Sequence, residues 1–376
     1  MRSESSRDGS GRFMSGIILK DKAVVARLRC DLLAWYDAHG RKLPWRDSGR
    51  GRAPDPYHVW LSEVMLQQTT VPHAAPYYEK FLRLWPTVRD LAAAEDGRVM
   101  AEWAGLGYYA RARKLLECAR TVVRHYEGVF PADEAELLKL PGFGLYTSAA
   151  VAAIAFGHAA NVVDGNIERI MARLYAIETP MPAGKPLVRE AAAQWVSDDR
   201  AGDWPQALMD MATLICRPKS PSCGECPLSE VCLARARHEP ERFPVKLAKA
   251  PKPRRYGVAF VMLVGDQVIV ERRADKGLLG GMLGLPHTEW RSEPYRMEEV
   301  MPPLSAPFEV VGSYEHVFTH FALTQEVWRA QLSDEDMSDF LRRNNSFQIL
   351  PVSEKALPTV FAKALKLKPS TPGLFD

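Results

Sequence analysis

The chain has 376 residues, a net charge of +3, and is 47% hydrophobic and 25% charged. That length can bury a core without disulfide staples and sets an expectation of two or three domains, while the small net charge does not by itself announce a nucleic-acid binder. No apolar run approaches the ~20 residues of a membrane span and the amino terminus has no apolar secretory stretch, so a soluble protein of the cytoplasm with no membrane partner is expected.

Residues 1–20 are polar and mix acids with arginines, which predicts a disordered leader. The stretch from Tyr57 to Thr70 (YHVWLSEVMLQQTT) predicts a helix over most of its length. Glu63 and Gln67 share a face of it, and a carboxyl walled in by Trp60, Leu61, Val64 and Met65 has a raised pKa and can donate a proton near neutrality. The plain alternative is a solvated surface glutamate. Arg111, Arg113 and Lys114 follow an aromatic turn, on a helix marked by Leu115, Ala119, Val122 and Val123. Arg111 and Arg113 read equally as nucleic-acid backbone contacts or as a solvated basic face.

Between predicted helices over 132–139 and 146–156 lies Leu140-Pro-Gly-Phe-Gly144. Gly142 and Gly144 let the chain turn tightly and leave amide N–H groups at the start of the second helix, a geometry that binds phosphate. Val162 to Asn166 (VVDGN) leads into an amphipathic helix with Ile167, Ile170, Met171 and Leu174 on one face, and Asp164 stands where an N-cap is expected. Cys216, Cys223, Cys226 and Cys232 follow at a spacing that lets one loop bring four thiolates to a centre, either zinc or an iron–sulfur cluster. Only Cys30 and Cys118 occur elsewhere.

Arg242 to Arg255 (RFPVKLAKAPKPRR) is basic and proline-punctuated, as linkers are. Beyond it the helical period gives way to short β-like runs, Val258 to Val264, Val268 to Val270 and Glu326 to Ala330. The fold class expected is therefore multidomain, an all-α part followed by an α+β part.

The ordered set LPWR (Leu43 to Arg46), WLSEVMLQQT (Trp60 to Thr69), GLGYYARAR (Gly105 to Arg113), LPGFG, VDGN and the four cysteines resembles the adenine DNA glycosylase family, within the helix-hairpin-helix superfamily that also contains endonuclease III. The likeness runs over roughly residues 25–235. It implies an enzyme of base excision repair that removes adenine mispaired with 8-oxoguanine, or with guanine, from double-stranded DNA, and a [4Fe–4S] cluster rather than zinc on the four cysteines. It implies that Glu63 protonates adenine, that Asp164 stabilises the sugar cation, and that Asn166 orients the carboxylates. Gln67, Gln68 and Tyr108 align with residues that wedge into the duplex as the base flips out. Tyr146 stands where bifunctional relatives carry a Schiff-base lysine, which implies a monofunctional enzyme that leaves an abasic site.

Residues 256–366 resemble the Nudix-like domain with which this family reads 8-oxoguanine, on GLLGGMLGLP (Gly277 to Pro286) and HVFTHFAL (His316 to Leu323). The Nudix metal helix Arg-Glu-x-x-Glu-Glu is missing, so binding without hydrolysis is implied. Phe318, Thr319 and His320 align with the lesion-probing loop, although Thr319 replaces a frequent serine and Leu279 a frequent tryptophan.

The expected layout is a leader over 1–20, a helical catalytic domain over 21–237 (a six-helix part over about 52–157 and a cluster-bearing part over about 21–51 plus 158–237), a linker over 238–255, the Nudix-like domain and a tail over 367–376. The tail ends in Leu-Phe, faintly like peptides that dock on sliding clamps. A monomer is expected, at the nucleoid if the source is bacterial. Two rivals are a bifunctional endonuclease III-like enzyme acting on oxidised pyrimidines and a non-catalytic iron–sulfur DNA-binding protein.

Overall fold

The computed structural model describes residues 21–46, 54–247, 251–274, 277–352 and 357–367; the leader, the Leu-Phe tail and the middle of the linker lie outside them. The chain divides into two compact units, Met1–Ala248 and Lys249–Asp376. No helix among the described residues is long and apolar enough to cross a membrane.

The first unit is helical: α1 (Lys22–His39), α2 (Pro56–Leu66), α3 (Val71–Leu84), α4 (Val88–Ala93), α5 (Asp96–Trp103), α6 (Ala110–His125), α7 (Glu134–Leu137), α8 (Leu145–Phe156), α9 (Gly165–Leu174), α10 (Lys185–Ala193), α11 (Asp203–Leu214) and α12 (Leu233–Ala236). Local chemistry sets the ends that matter for the site. Asp55 caps α2 by accepting from the Tyr57 amide at 2.8 Å, with Pro56 in the first turn. Helix α8 stops at Gly157, whose φ of +70° suits glycine.

Two hydrophobic cores meet along α8. Tyr57, Trp60, Phe81, Trp103, Leu115 and Phe143 build one, and Leu28, Leu32, Ile167, Met171, Trp195, Leu208 and Phe243 build the other. Helix α8 is apolar on nearly every side, as a helix buried between two layers must be. Ala149, Ala150 and Ala153 face the second core while Val151, Ala152 and Ala155 face the first. The face expected on α9 is buried at all four positions, Ile167, Ile170, Met171 and Leu174.

Two expectations of layout change. The helix expected over 132–139 forms only at Glu134–Leu137, where Asp133 caps it and a turn into Leu140 follows. The linker expected to begin at 238 instead continues the helical unit through Lys246. Phe243 is 1% exposed, its carbonyl accepts from Arg173 Nε at 3.2 Å, and the Val245 carbonyl accepts from the Met181 amide at 2.8 Å. Burial of Phe243 and these backbone bonds outweigh the linker-like composition. At the other end, Arg254 and Arg255 already belong to a strand.

The second unit is a mixed sheet of β1 (Arg254–Val264), β2 (Gln267–Arg272), β3 (Leu283–Gly284), β4 (Glu309–Val317), β5 (Ala322–Gln331) and β6 (Phe347–Pro351), with α13 (Asp334–Arg343) and α14 (Thr359–Lys366). Its order is β3-β2-β1-β5-β4, with β6 also paired to β2, and β1 runs parallel to β5 from Arg254↔Ala322 to Leu263↔Gln331. Alternate residues of β1 serve opposite faces: Val261 joins the core that contains Phe361 of α14, and Val258, Phe260 and Met262 join the one that contains Phe340 of α13.

Candidate active site

Glu63 on α2, Tyr146 on α8 and Asp164 at the start of α9 come from the two cores and meet. Glu63 is 7% exposed, and its Oε2 accepts from the Tyr146 hydroxyl at 2.5 Å. Burial pushes the Glu63 carboxyl up to about 7; the Tyr146 hydrogen bond opposes this, the nearby Asp164 charge adds to it and the Arg46 charge opposes it. The Tyr146 hydroxyl is itself held well above the usual tyrosine range, by burial and then by the neighbouring carboxylates.

Asp164 does cap α9. Its Oδ1 accepts from the amides of Asn166 at 2.9 Å and Ile167 at 2.8 Å, and its Oδ2 accepts from Asn166 Nδ2 at 2.8 Å. Burial raises this carboxyl too, opposed by those three donors and the charge of Arg169. Capping and a directed carboxylate are thus one arrangement: the same bonds that start the helix fix the oxygens.

A small cavity opens beside Glu63, lined by Trp45, Arg46, Ser62, Leu66, Ile154 and Gln206 among others. Asp210 holds its arginines. Fully buried, it accepts from Arg46 Nη1 at 2.7 Å and Nη2 at 3.1 Å, and from Arg41 Nε at 2.7 Å. Burial alone would raise the Asp210 carboxyl, but the Arg46 and Arg41 bonds outweigh it and hold it below the usual range. A protonable carboxyl beside an aromatic ring and a guanidinium on the wall of one pocket can meet a heteroaromatic base. Arg46, Asp210 and Gln206 were given no role from the sequence; LPWR is the one local signal, and the aspartate's partners lie 164 and 169 residues away.

The Leu140–Gly144 turn joins α7 to α8. Gly142 has φ +81°, and α8 begins at Gly144 with no side-chain cap, which leaves first-turn amides for an anion. Nearby, Gln68 and Tyr108 have φ +60° and +49°, and Tyr108 is 50% exposed. Gln67 is half-buried and donates to Thr147 Oγ1 at 3.4 Å. Arg113 is exposed, whereas Arg111 turns inward: its Nη1 donates to main-chain carbonyls of Val64 and Gln67.

Cys216, Cys223, Cys226 and Cys232 line one pocket with Arg173. Among the described residues no three His, Cys, Asp or Glu side chains are arranged to hold a single metal ion. Four thiols on one pocket fit the donor set of a cube of four irons, each taking one thiolate. Arg173, 2% exposed, donates to Cys216 Sγ at 3.2 Å and to the carbonyls of Arg217 and Pro218, a buried positive charge beside a site of thiolates. One helical turn earlier, Arg169 donates to the Cys216 and Ala212 carbonyls at 2.9 Å and reaches Asn166 Oδ1 at 3.3 Å. The cysteine loop and the Asp164–Asn166 step are therefore braced by two arginines of α9.

In the second unit the turn between β4 and β5 carries Phe318, Thr319 and His320. Phe318 packs among Trp290, Phe321 and His316, with ring centroids at 5.4, 4.8 and 4.6 Å, while Thr319 and His320 are exposed. Leu279, with φ +57°, packs against the core of this unit.

Residues 61–197 match the HhH-GPD superfamily of base excision DNA repair proteins, residues 216–232 the iron–sulfur binding domain of endonuclease III, and residues 258–367 the NUDIX domain. The adenine DNA glycosylase of Homo sapiens is 34% identical, over 85% of this chain and 69% of its own length. The chain belongs to the adenine DNA glycosylase family. A family member from Mycolicibacterium smegmatis is 39% identical over 53% of this chain and 67% of its own. The solved structure of a thermostable thymine-DNA glycosylase, 28% identical, superposes with a TM-score of 0.52 over 59% of this chain and 100% of that one. The activity is that of the family, hydrolysis of the N-glycosyl bond of adenine in DNA, a step of base excision repair, which removes the non-catalytic rival. The four cysteines are those of an endonuclease III-type [4Fe–4S] region.

Proposed function

We propose that the protein excises adenine paired with 8-oxoguanine, or with guanine, by hydrolysis without strand cleavage. The reading is carried by the single contact between Tyr146 and Glu63 in a site that also holds Asp164. Glu63, with its carboxyl pushed up to about 7, is protonated in part at neutrality and delivers that proton to N7 of the flipped adenine, which turns the base into a neutral leaving group. As the glycosidic bond lengthens, positive charge grows on the sugar, and the Asp164 carboxylate, aimed by Asn166 and two main-chain amides, offsets it. Glu63, now ionised, takes a proton from the water that completes hydrolysis. Tyr146 occupies the lysine position of lyases and its hydroxyl is committed to Glu63, so no amine is placed for a Schiff base.

The duplex is held through the Gly142–Gly144 turn and Arg113, Gln67, Gln68 and Tyr108 fill the vacated stack, and Phe318, Thr319 and His320 probe the base opposite. When bound, the cluster supplies four iron–thiolate bonds that hold the 216–232 loop together. A monomer acting in the cytoplasm, at the nucleoid in a bacterium, completes the reading. The sliding-clamp contact rests on residues 371–376, which lie outside the described residues; a clamp pull-down unchanged by their deletion removes it.

The test is a duplex with one adenine opposite 8-oxoguanine, half of each sample treated with alkali. Strand breaks only after alkali are expected; breaks without it restore the bifunctional rival. Glu63→Gln is expected to bind the duplex and to lose on the order of 10³-fold in excision rate, and near-normal turnover by that variant overturns the acid assignment.

A further inference from the structure

Two chain reversals place the proposed wedge, and each holds a non-glycine residue in the left-handed region: Gln68 at φ +60° in the turn after α2 and Tyr108 at φ +49° in the turn before α6. Side chains resist that conformation unless their surroundings impose it. Arg111, one residue into α6, touches both turns. Its Nη1 donates to the carbonyls of Val64 at 2.8 Å, Met65 at 3.4 Å and Gln67 at 2.5 Å. Val64 and Met65 are among the last residues of α2 and Gln67 is its C-cap, so these carbonyls lack helical partners and carry the negative end of the helix dipole. The same guanidinium lies over the Tyr108 ring, 5.3 Å from its centroid, and over Trp103 at 5.5 Å. Its Nε and Nη2 are buried with no hydrogen-bond partner. A guanidinium so enclosed is not presented to a phosphate, and the sequence-based expectation of a backbone contact does not describe it.

We infer that Arg111 is a positioning residue for base flipping, one that clamps the Gln67–Gln68 turn to the Tyr108 turn so that two segments distant in sequence enter the duplex as one rigid wedge. The inference rests on the reading of those three residues as the wedge. A wedge that must part stacked bases works against the stacking energy of the step it enters, and two loops left to move independently would add the entropy of ordering them. Lysine does not reproduce the clamp, because its ammonium, a compact and strongly hydrated point charge, lacks the planar guanidinium face that here lies within 5.5 Å of both the Tyr108 and Trp103 ring centroids.

The experiment uses the full-length holoprotein in a Glu63→Gln background and a duplex in which 2-aminopurine, whose fluorescence rises on unstacking, stands opposite 8-oxoguanine. Arg111→Met and Arg111→Lys are expected to slow the fluorescence rise by about tenfold or more, with cluster absorbance retained. With Glu63 restored, the midpoint of their pH profile for single-turnover excision is expected at the parent value, which general damage to the site would move. If Arg111→Met does not fold, Arg111→Lys carries the test alone. Tyr108→Ala separates the two layers of argument. Slow flipping by Tyr108→Ala with parental flipping by the Arg111 variants overturns the clamp alone, and parental flipping by all of them overturns the wedge reading and the clamp with it.

Discussion

Glu63 and the hydroxyl that faces it set how the chemistry responds to pH. The acid must be protonated to act, and its carboxyl sits at about 7 chiefly because it is buried, so single-turnover excision should fall as pH rises through that value. The Tyr146 hydroxyl donates to the charged form and pulls the carboxyl down. Removing it by Tyr146→Phe takes away stabilisation of the carboxylate alone, so the alkaline limb should move to higher pH; a midpoint that stays or drops would sink the assignment. Glu63 was legible in the sequence because its apolar neighbours lie within one helical turn, and Asp164 because a cap precedes its own helix. Arg46 and Asp210 were not, since a buried ion pair spanning 164 residues leaves no local pattern.

The turn between α7 and α8 separates two uses of glycine. At Gly142, φ is +81° and an added Cβ would lie 3.0 Å from Lys114 Cβ, whereas an added Cβ at Gly144 meets nothing within 4 Å. Gly142→Ala should therefore cost about 1 kcal/mol or more of stability. Gly144→Ala should leave the melting temperature nearly unchanged yet weaken duplex binding, because the new methyl stands where a phosphate would approach the first amides of α8. Denaturation and fluorescence-anisotropy titrations of the two variants check this; equal affinity for parent and Gly144→Ala would remove the hairpin from the DNA interface. Helices α2, α8 and α9 were readable from apolar period and caps. The stretch from 238 to 246 was not, because what ties it down is Arg173, 70 residues before Phe243, against a composition of prolines and lysines.

Across the whole molecule, the change from helical to strand-like patterning marked the two units well, for composition shifts are local. The parallel pairing of β1 with β5 and the sheet order were beyond reach, since register between strands some seventy residues apart depends on the packing of both faces. The β4–β5 turn divides its labour accordingly: Phe318 is an anchor among aromatic rings and His320 is exposed. Phe318→Ala and His320→Ala should both reduce the preference for adenine opposite 8-oxoguanine over adenine opposite guanine, and only Phe318→Ala should also lower the melting temperature. Comparison of single-turnover rates on the two duplexes decides, and an unchanged preference in both variants would take lesion reading away from this loop.

The two cysteines outside the iron–sulfur loop have a practical consequence. Cys118 is fully buried and its thiol is pushed far up by that burial, while Cys30 on α1 is exposed. With the other four thiolates engaged by iron, the intact holoprotein offers maleimides one address. A fluorophore placed there gives a defined probe on the cluster-bearing half of the helical unit, and further labelling of the same sample becomes a direct gauge of iron lost.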